Sequence, residues 1–97
     1  MKPLNEIKSI LDAHKKDLEK KYKVKEIGIF GSYVRGEQRK KSDLDVLVEF
    51  SETPGLFTFV ELEDYISEML GMKIDLVMKD ALKPHIGRHI LKEVVYL

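Results

Sequence analysis

Leu4, Ile7, Leu11, His14, Leu18 and Tyr22 recur at spacings of three and four, which predicts an amphipathic helix of about five turns. The positions between them are nearly all charged. Glu26 to Phe30 reads as a strand bounded by Gly31-Ser32, and a glycine-flanked stretch with basic residues runs from Ser32 to Lys41. Asp43 to Phe50 reads as a second strand, with Leu44, Val46, Val48 and Phe50 on one face and Asp43, Asp45 and Leu47 on the other. Thr53-Pro54-Gly55 breaks the chain. Leu56 to Leu70, with Phe59, Val60, Ile66, Met69 and Leu70 apolar, predicts a helix stopped by Gly71. Lys73 to Met78 is a third strand and Pro84 to Val94 a last helix. The order α-β-(short α)-β-α-β-α predicts an α/β fold, a mixed β-sheet with helices packed on it, in a single domain over residues 1–97.

Composition narrows the function classes. The 97 residues are 43% hydrophobic, which suits one globular core and argues against global disorder. The longest uncharged stretches, Ile27 to Val34 and Thr53 to Val60, are eight residues each, against the ~20 of a membrane span. The opening residues lack the apolar run of a signal peptide, and the expected location is the cytoplasm. Without cysteine there is no disulfide, thiol chemistry or thiolate metal site. The zero net charge conceals a split: residues 1–41 hold twelve Lys/Arg against six Asp/Glu, and residues 42–97 hold five against eleven. That arrangement could set a polyanion beside carboxylates that hold its metal ions, though solvated helix faces account for most of these charges. One Asn and one Gln stand beside fourteen Lys and ten Glu, a composition that leans towards heat adaptation. The expected melting temperature therefore lies above the usual mesophile range of ~45–65 °C. Reversible unfolding within that range, followed by calorimetry, would remove this reading.

The candidate chemistry gathers on the second strand. Asp43 and Asp45, two apart, project from the same face with Cα atoms ~6.5–7 Å apart. Carboxylates so spaced can converge on two divalent ions, the arrangement used for in-line phosphoryl displacement. Oxygen ligands without cysteine suit Mg²⁺ or Mn²⁺ rather than zinc. Asp75 interrupts the apolar run Ile74-Asp75-Leu76-Val77, and if the third strand pairs beside the second it completes a three-carboxylate cluster. Gly31-Ser32 stands where a strand gives way to a short helix, a junction that offers backbone N–H groups and a hydroxyl to a phosphate. Arg35, one turn on, can reach phosphate oxygens, and Gly36 lets the loop turn back towards Ser42.

Together these residues spell Gly31-Ser32-x2-Arg35-Gly36-x5-Ser42-Asp43-x-Asp45. Seven fixed identities would arise by chance in far fewer than one in ~10⁵ chains of this length. The pattern resembles the signature of the DNA polymerase beta-like nucleotidyltransferase superfamily, most closely its minimal (MNT) branch, over roughly residues 22–80. The resemblance implies a nucleotidyltransferase core in which Gly31 and Ser32, with Arg35 and Ser42, hold the nucleoside triphosphate. It implies that Asp43, Asp45 and Asp75 are the catalytic carboxylates and bind metal, two Mg²⁺ ions with ATP as substrate. Asp80 is the alternative third acid, but only Asp75 lies within the strand. Arg39, Lys40 and Lys41 could screen the triphosphate or simply form a solvated loop.

Only twenty-two residues follow Asp75, too few for a domain that holds a second substrate. The resemblance implies a separate acceptor: minimal members pair with an all-helical HEPN toxin and act as its antitoxin, by adenylylating a tyrosine, in type VII toxin–antitoxin pairs. Two alternatives stay open, a non-catalytic antitoxin that neutralises by binding and a small-molecule nucleotidyltransferase. A homo-oligomer is also left open. The remaining candidates are weaker. His85 and His89, four apart, have metal-binding spacing but no third ligand in register, and are expected to be surface or core histidines. Phe57 and Phe59 are expected to enter the core. The lysines of residues 15–25 are diluted by Asp17 and Glu19, so no direct nucleic-acid binding is predicted, and no membrane partner.

Overall fold

The computed structural model describes residues 2–39 and 43–97. Ser42, expected at the nucleotide, lies outside the described residues, as do Lys40 and Lys41.

Where one five-turn helix was expected, two form, α1 (Leu4–Ala13) and α2 (Lys15–Tyr22). The break falls at His14, with φ −105° and ψ 7°. In an unbroken helix the His14 N–H would bond to the Ile10 carbonyl. Here His14 Nδ1 takes that carbonyl at 2.9 Å, and the backbone N–H moves to Leu11 at 3.2 Å, the tighter 3₁₀ spacing. The apolar stripe survives the break, since Ile7, Leu11, Leu18 and Tyr22 are all buried.

The strands are β1 (Val24–Phe30), β2 (Leu44–Phe50) and β3 (Ile74–Met78). A four-residue helix, α3 (Ser32–Arg35), follows β1 directly. The long helix α4 (Leu56–Leu70) ends as expected at Gly71, which sits in the left-handed region while the Met72 N–H donates to the Ser67 carbonyl. A 3₁₀ turn (Lys79–Ala81) and α5 (Pro84–Glu93) complete the expected order. One strand was not anticipated: β4 (Val95–Tyr96) returns to pair with β1. The sheet order is β3-β2-β1-β4, with β2 and β3 parallel and the other pairs antiparallel. This is the mixed sheet the element order predicted.

Strand alternation divides the sheet into two faces. Ile27, Ile29, Leu44, Val46, Val48, Ile74 and Leu76 face a core closed by Ile7, Leu11 and Leu18 from α1 and α2 and by Leu62, Ile66 and Leu70 from α4. The opposite face carries Phe30, Asp45, Leu47 and Asp75. Phe59 packs on Phe50 with ring centroids 6.4 Å apart, but Phe57 is 84% exposed, contrary to expectation. Residues two apart on a helix point about 200° from each other, so both rings cannot enter one core. Among the described residues no helix is long and apolar enough to cross a membrane.

Candidate active site

Pairing register brings the acidic residues together. Asp45 stands opposite Phe30 across the β1–β2 ladder and opposite Asp75 across the parallel β2–β3 ladder. Directly opposed residues share a face, so Asp45 and Asp75 are neighbours on adjacent strands about 4.8 Å apart. Asp43 lies just ahead of β2 with the same parity as Asp45. Asp43 and Asp75 are exposed, whereas Asp45 is partly buried. Burial pushes the Asp45 carboxyl above its ordinary range, the charges of Asp75 and Asp43 push it further, and Arg35 opposes them. Asp80 lies in the 3₁₀ turn beyond β3, out of register with Asp45.

A partly buried carboxylate beside two others suits a divalent cation that would relieve their repulsion, and oxygen donors suit Mg²⁺. Among the described residues no three acid or histidine side chains close into a coordination cage.

Gly31 forms the floor beside these acids. Its φ of +82° and ψ of −153° suit glycine alone, and a Cβ there would overlap the Asp45 carboxylate. Its carbonyl accepts the N–H groups of Val34 at 3.1 Å and Arg35 at 3.2 Å, which starts α3 immediately. Ser32 is the first residue of that helix and is partly exposed beside Gly31. The strand–glycine–helix junction expected from the sequence is therefore formed, in contact with the acidic strand.

Arg35 is not simply an open phosphate ligand. Its Nη1 donates to Glu93 Oε1 at 2.7 Å and its Nε to Glu37 Oε2 at 3.1 Å, and these bonds strengthen its hold on its proton. Two of its five N–H donors are thus engaged, leaving three directed elsewhere. Glu93, which sequence reasoning missed, also accepts the Gly31 N–H at 2.7 Å on its other oxygen. Burial alone would raise the Glu93 carboxyl, but the bonds from Arg35 and Gly31 outweigh it and hold the group below its ordinary range.

A cavity of about 450 Å³ opens here, lined by Phe30, Gly31, Arg35, Asp45, His89 and Glu93, with Ile86 and Ile90 completing the α5 wall. A larger hollow of about 620 Å³ between α2 and α4 lacks any strand acid or glycine junction, and the chemistry points to the former. His89 thus faces the site, with its ring 5.6 Å from that of His85, and both residues are exposed. No motif announced the α5 wall. An amphipathic signal in Ile86, Ile90 and Glu93 was present, but nothing in the sequence said which surface it would meet.

Comparison with known proteins identifies the family of the chain. The nucleotidyltransferase domain family matches residues 11–97. Protein adenylyltransferase MntA of Thermococcus cleftensis is 55% identical, over 100% of this chain and 98% of that protein. A solved chain provisionally described as a minimal nucleotidyltransferase is 29% identical with a TM-score of 0.76, over 94% of this chain and 95% of its own. A Shewanella oneidensis complex of a tri-AMPylated HEPN toxin with its MNT antitoxin shares the fold, with a TM-score of 0.67 at 20% identity over 93% of this chain and 70% of that one. With a family match over most of its length and whole-length relatives above 50% identity, the chain belongs to the nucleotidyltransferase domain family, in its minimal branch.

Proposed function

We propose that this chain transfers AMP from ATP, with Mg²⁺, to a tyrosine hydroxyl of a HEPN toxin and acts as its antitoxin. The observation that carries this reading is the register of Asp45, which stands beside Asp75 on one side and against Gly31 on the other. The 55% identity to a protein adenylyltransferase over the whole chain supports a protein acceptor. The HEPN toxin in the Shewanella complex supports the class of partner. Such work belongs in the cytoplasm, where ATP and Mg²⁺ are supplied.

The chemistry follows from the residues. Asp43, Asp45 and Asp75 would hold Mg²⁺, which when bound supplies charge stabilisation to the attacking and leaving oxygens. Gly31 and Ser32 present a backbone junction and a hydroxyl to the phosphates, close to Asp45. The tyrosine oxygen bonds to the α-phosphorus while the bond to pyrophosphate breaks, so AMP is transferred and pyrophosphate leaves. Asp75, exposed beside Asp45, orients the incoming hydroxyl or takes its proton. Incubation with α-labelled ATP, Mg²⁺ and the product of the neighbouring gene, as the candidate HEPN partner, tests the reading. Label on a partner tyrosine, located by mass spectrometry, is the expected result; an unlabelled partner beside a labelled small molecule would favour the small-molecule reading.

A further inference from the structure

We propose that Glu93 is a positioning residue of the transfer reaction, a clamp from α5 that fixes Gly31 and Arg35 against the aspartate strand. The inference rests on the nucleotidyltransferase reading of the site. Its basis is one carboxylate that spans both ends of the short loop: Oε2 accepts the Gly31 N–H and Oε1 accepts Arg35 Nη1, each at 2.7 Å.

The fold explains how a residue 62 positions away arrives there. In the antiparallel β1–β4 ladder Gly28 faces Tyr96 and Ile29 faces Val95. Continuing that register places Phe30 against Val94 and Gly31 against Glu93. The ladder is seated closely, since a Cβ on Gly28 would meet Val94 Cγ2 at 2.6 Å and Tyr96 Cδ1 at 3.2 Å. The Leu97 N–H donates to the Ile27 carbonyl at 3.0 Å and extends the same edge. Glu93 is therefore held by a strand that immediately follows it, and it fixes a loop that would otherwise be set only by α3.

Two facts favour a clamp over a carboxylate resting where a phosphate belongs. The Gly31 N–H points along the ladder direction to β4, and its carbonyl is already used by α3, so the bond to Glu93 completes the backbone pairing of this residue. The Glu93 side chain is also the more enclosed partner, 20% exposed against 48% for Arg35. The more enclosed member of the pair orients the more exposed one, which keeps three N–H donors beyond those given to Glu93 and Glu37.

Kinetics of AMP transfer by the full chain with its partner protein, paired with thermal melts, test the clamp. Glu93→Gln keeps a carbonyl for the Gly31 N–H but loses the acceptor for Arg35. Its expected kcat/KM for ATP falls about tenfold, and Glu93→Ala falls by about 10²-fold. The loss should appear in the KM for ATP and in kcat, with the KM for the partner protein unchanged and the melting point of Glu93→Gln within a few degrees of wild type. Combined with Arg35→Ala, Glu93→Gln should add little, because the two act through one contact. A purely structural role would instead lower the melting point and leave both KM values alone, which would overturn the clamp. Tighter MgATP binding by Glu93→Gln would also overturn it, by identifying the carboxylate as a stand-in for phosphate. Absence of MgATP binding in the wild type would fail the nucleotide reading itself, and the inference with it.

Discussion

Asp45→Asn is expected to lower the rate of AMP transfer by about 10²–10³-fold while raising the melting temperature of the metal-free protein at neutral pH. The two effects have one cause. Asp45 is partly buried beside Asp75 and Asp43, and its carboxyl is raised by burial first and by those charges second. Between its ordinary and its raised value, the folded state binds more protons than the unfolded state. Stability from this group therefore falls as pH rises through that window and is not penalised below it. Asparagine removes the penalty, so the melting-point gain of Asp45→Asn should be present at pH 7, shrink as the pH falls through that window, and be gone below the ordinary aspartate range. The mutant should also lose most of the melting-point rise that Mg²⁺ and ATP give the wild type. Equal ligand-induced shifts in both proteins would show that Asp45 does not hold the metal. A mutant less stable than wild type at every pH would show that its charge is satisfied without one.

Gly31→Ala is the second substitution with a large expected effect. The backbone there has φ +82° and ψ −153°, and the new methyl would overlap the Asp45 carboxylate. Strain in that region costs about 1–3 kcal/mol, and each kcal/mol lowers the melting temperature of a domain this size by about 4–8 °C. Displacing Asp45 also disturbs the group that activity depends on, so transfer should fall by about 10²-fold. Gly36→Ala is the matched control. Gly36 also has positive φ, +71°, but a Cβ there meets nothing within 4 Å. It should cost only the backbone term, about 1–2 kcal/mol, and retain most of the activity. If both substitutions damage transfer equally, the close approach of Gly31 to Asp45 is not what matters.

The parts of the site that lie close together along the chain were the parts legible from it. Asp43 and Asp45 announce a shared face through the period of a strand, and Gly31-Ser32 announces a turn into a helix. Asp75 needed one further inference, that the third strand runs beside the second, and the parallel register sets it directly against Asp45. Glu93 could not be reached by such reasoning. It meets Gly31 only because two residues, Val95 and Tyr96, form a strand too short to stand out by pattern. The one available hint was Gly28, a glycine between Ile27 and Ile29 inside the strand, which often marks close backbone approach. The sequence marks Arg35 as a phosphate ligand; its bond to Glu37 is local, but its engagement by Glu93 depends on that same short strand. The break at His14 was invisible for a different reason: neither proline nor glycine marks it, and a ring nitrogen competing for one carbonyl leaves the apolar spacing intact.

The central claim is that this chain modifies a partner rather than merely covering it, and a titration decides it most directly. A fixed amount of the proposed HEPN partner is mixed with decreasing amounts of this chain, with ATP and Mg²⁺, and both the toxin's activity and its mass are followed. Catalysis predicts that a small fraction of a molar equivalent silences the partner and leaves it heavier by AMP after denaturation, and that Asp45→Asn fails at the same dose. Neutralisation only at equimolar amounts, equally by Asp45→Asn and without ATP, with no mass added to the partner, would contradict the account.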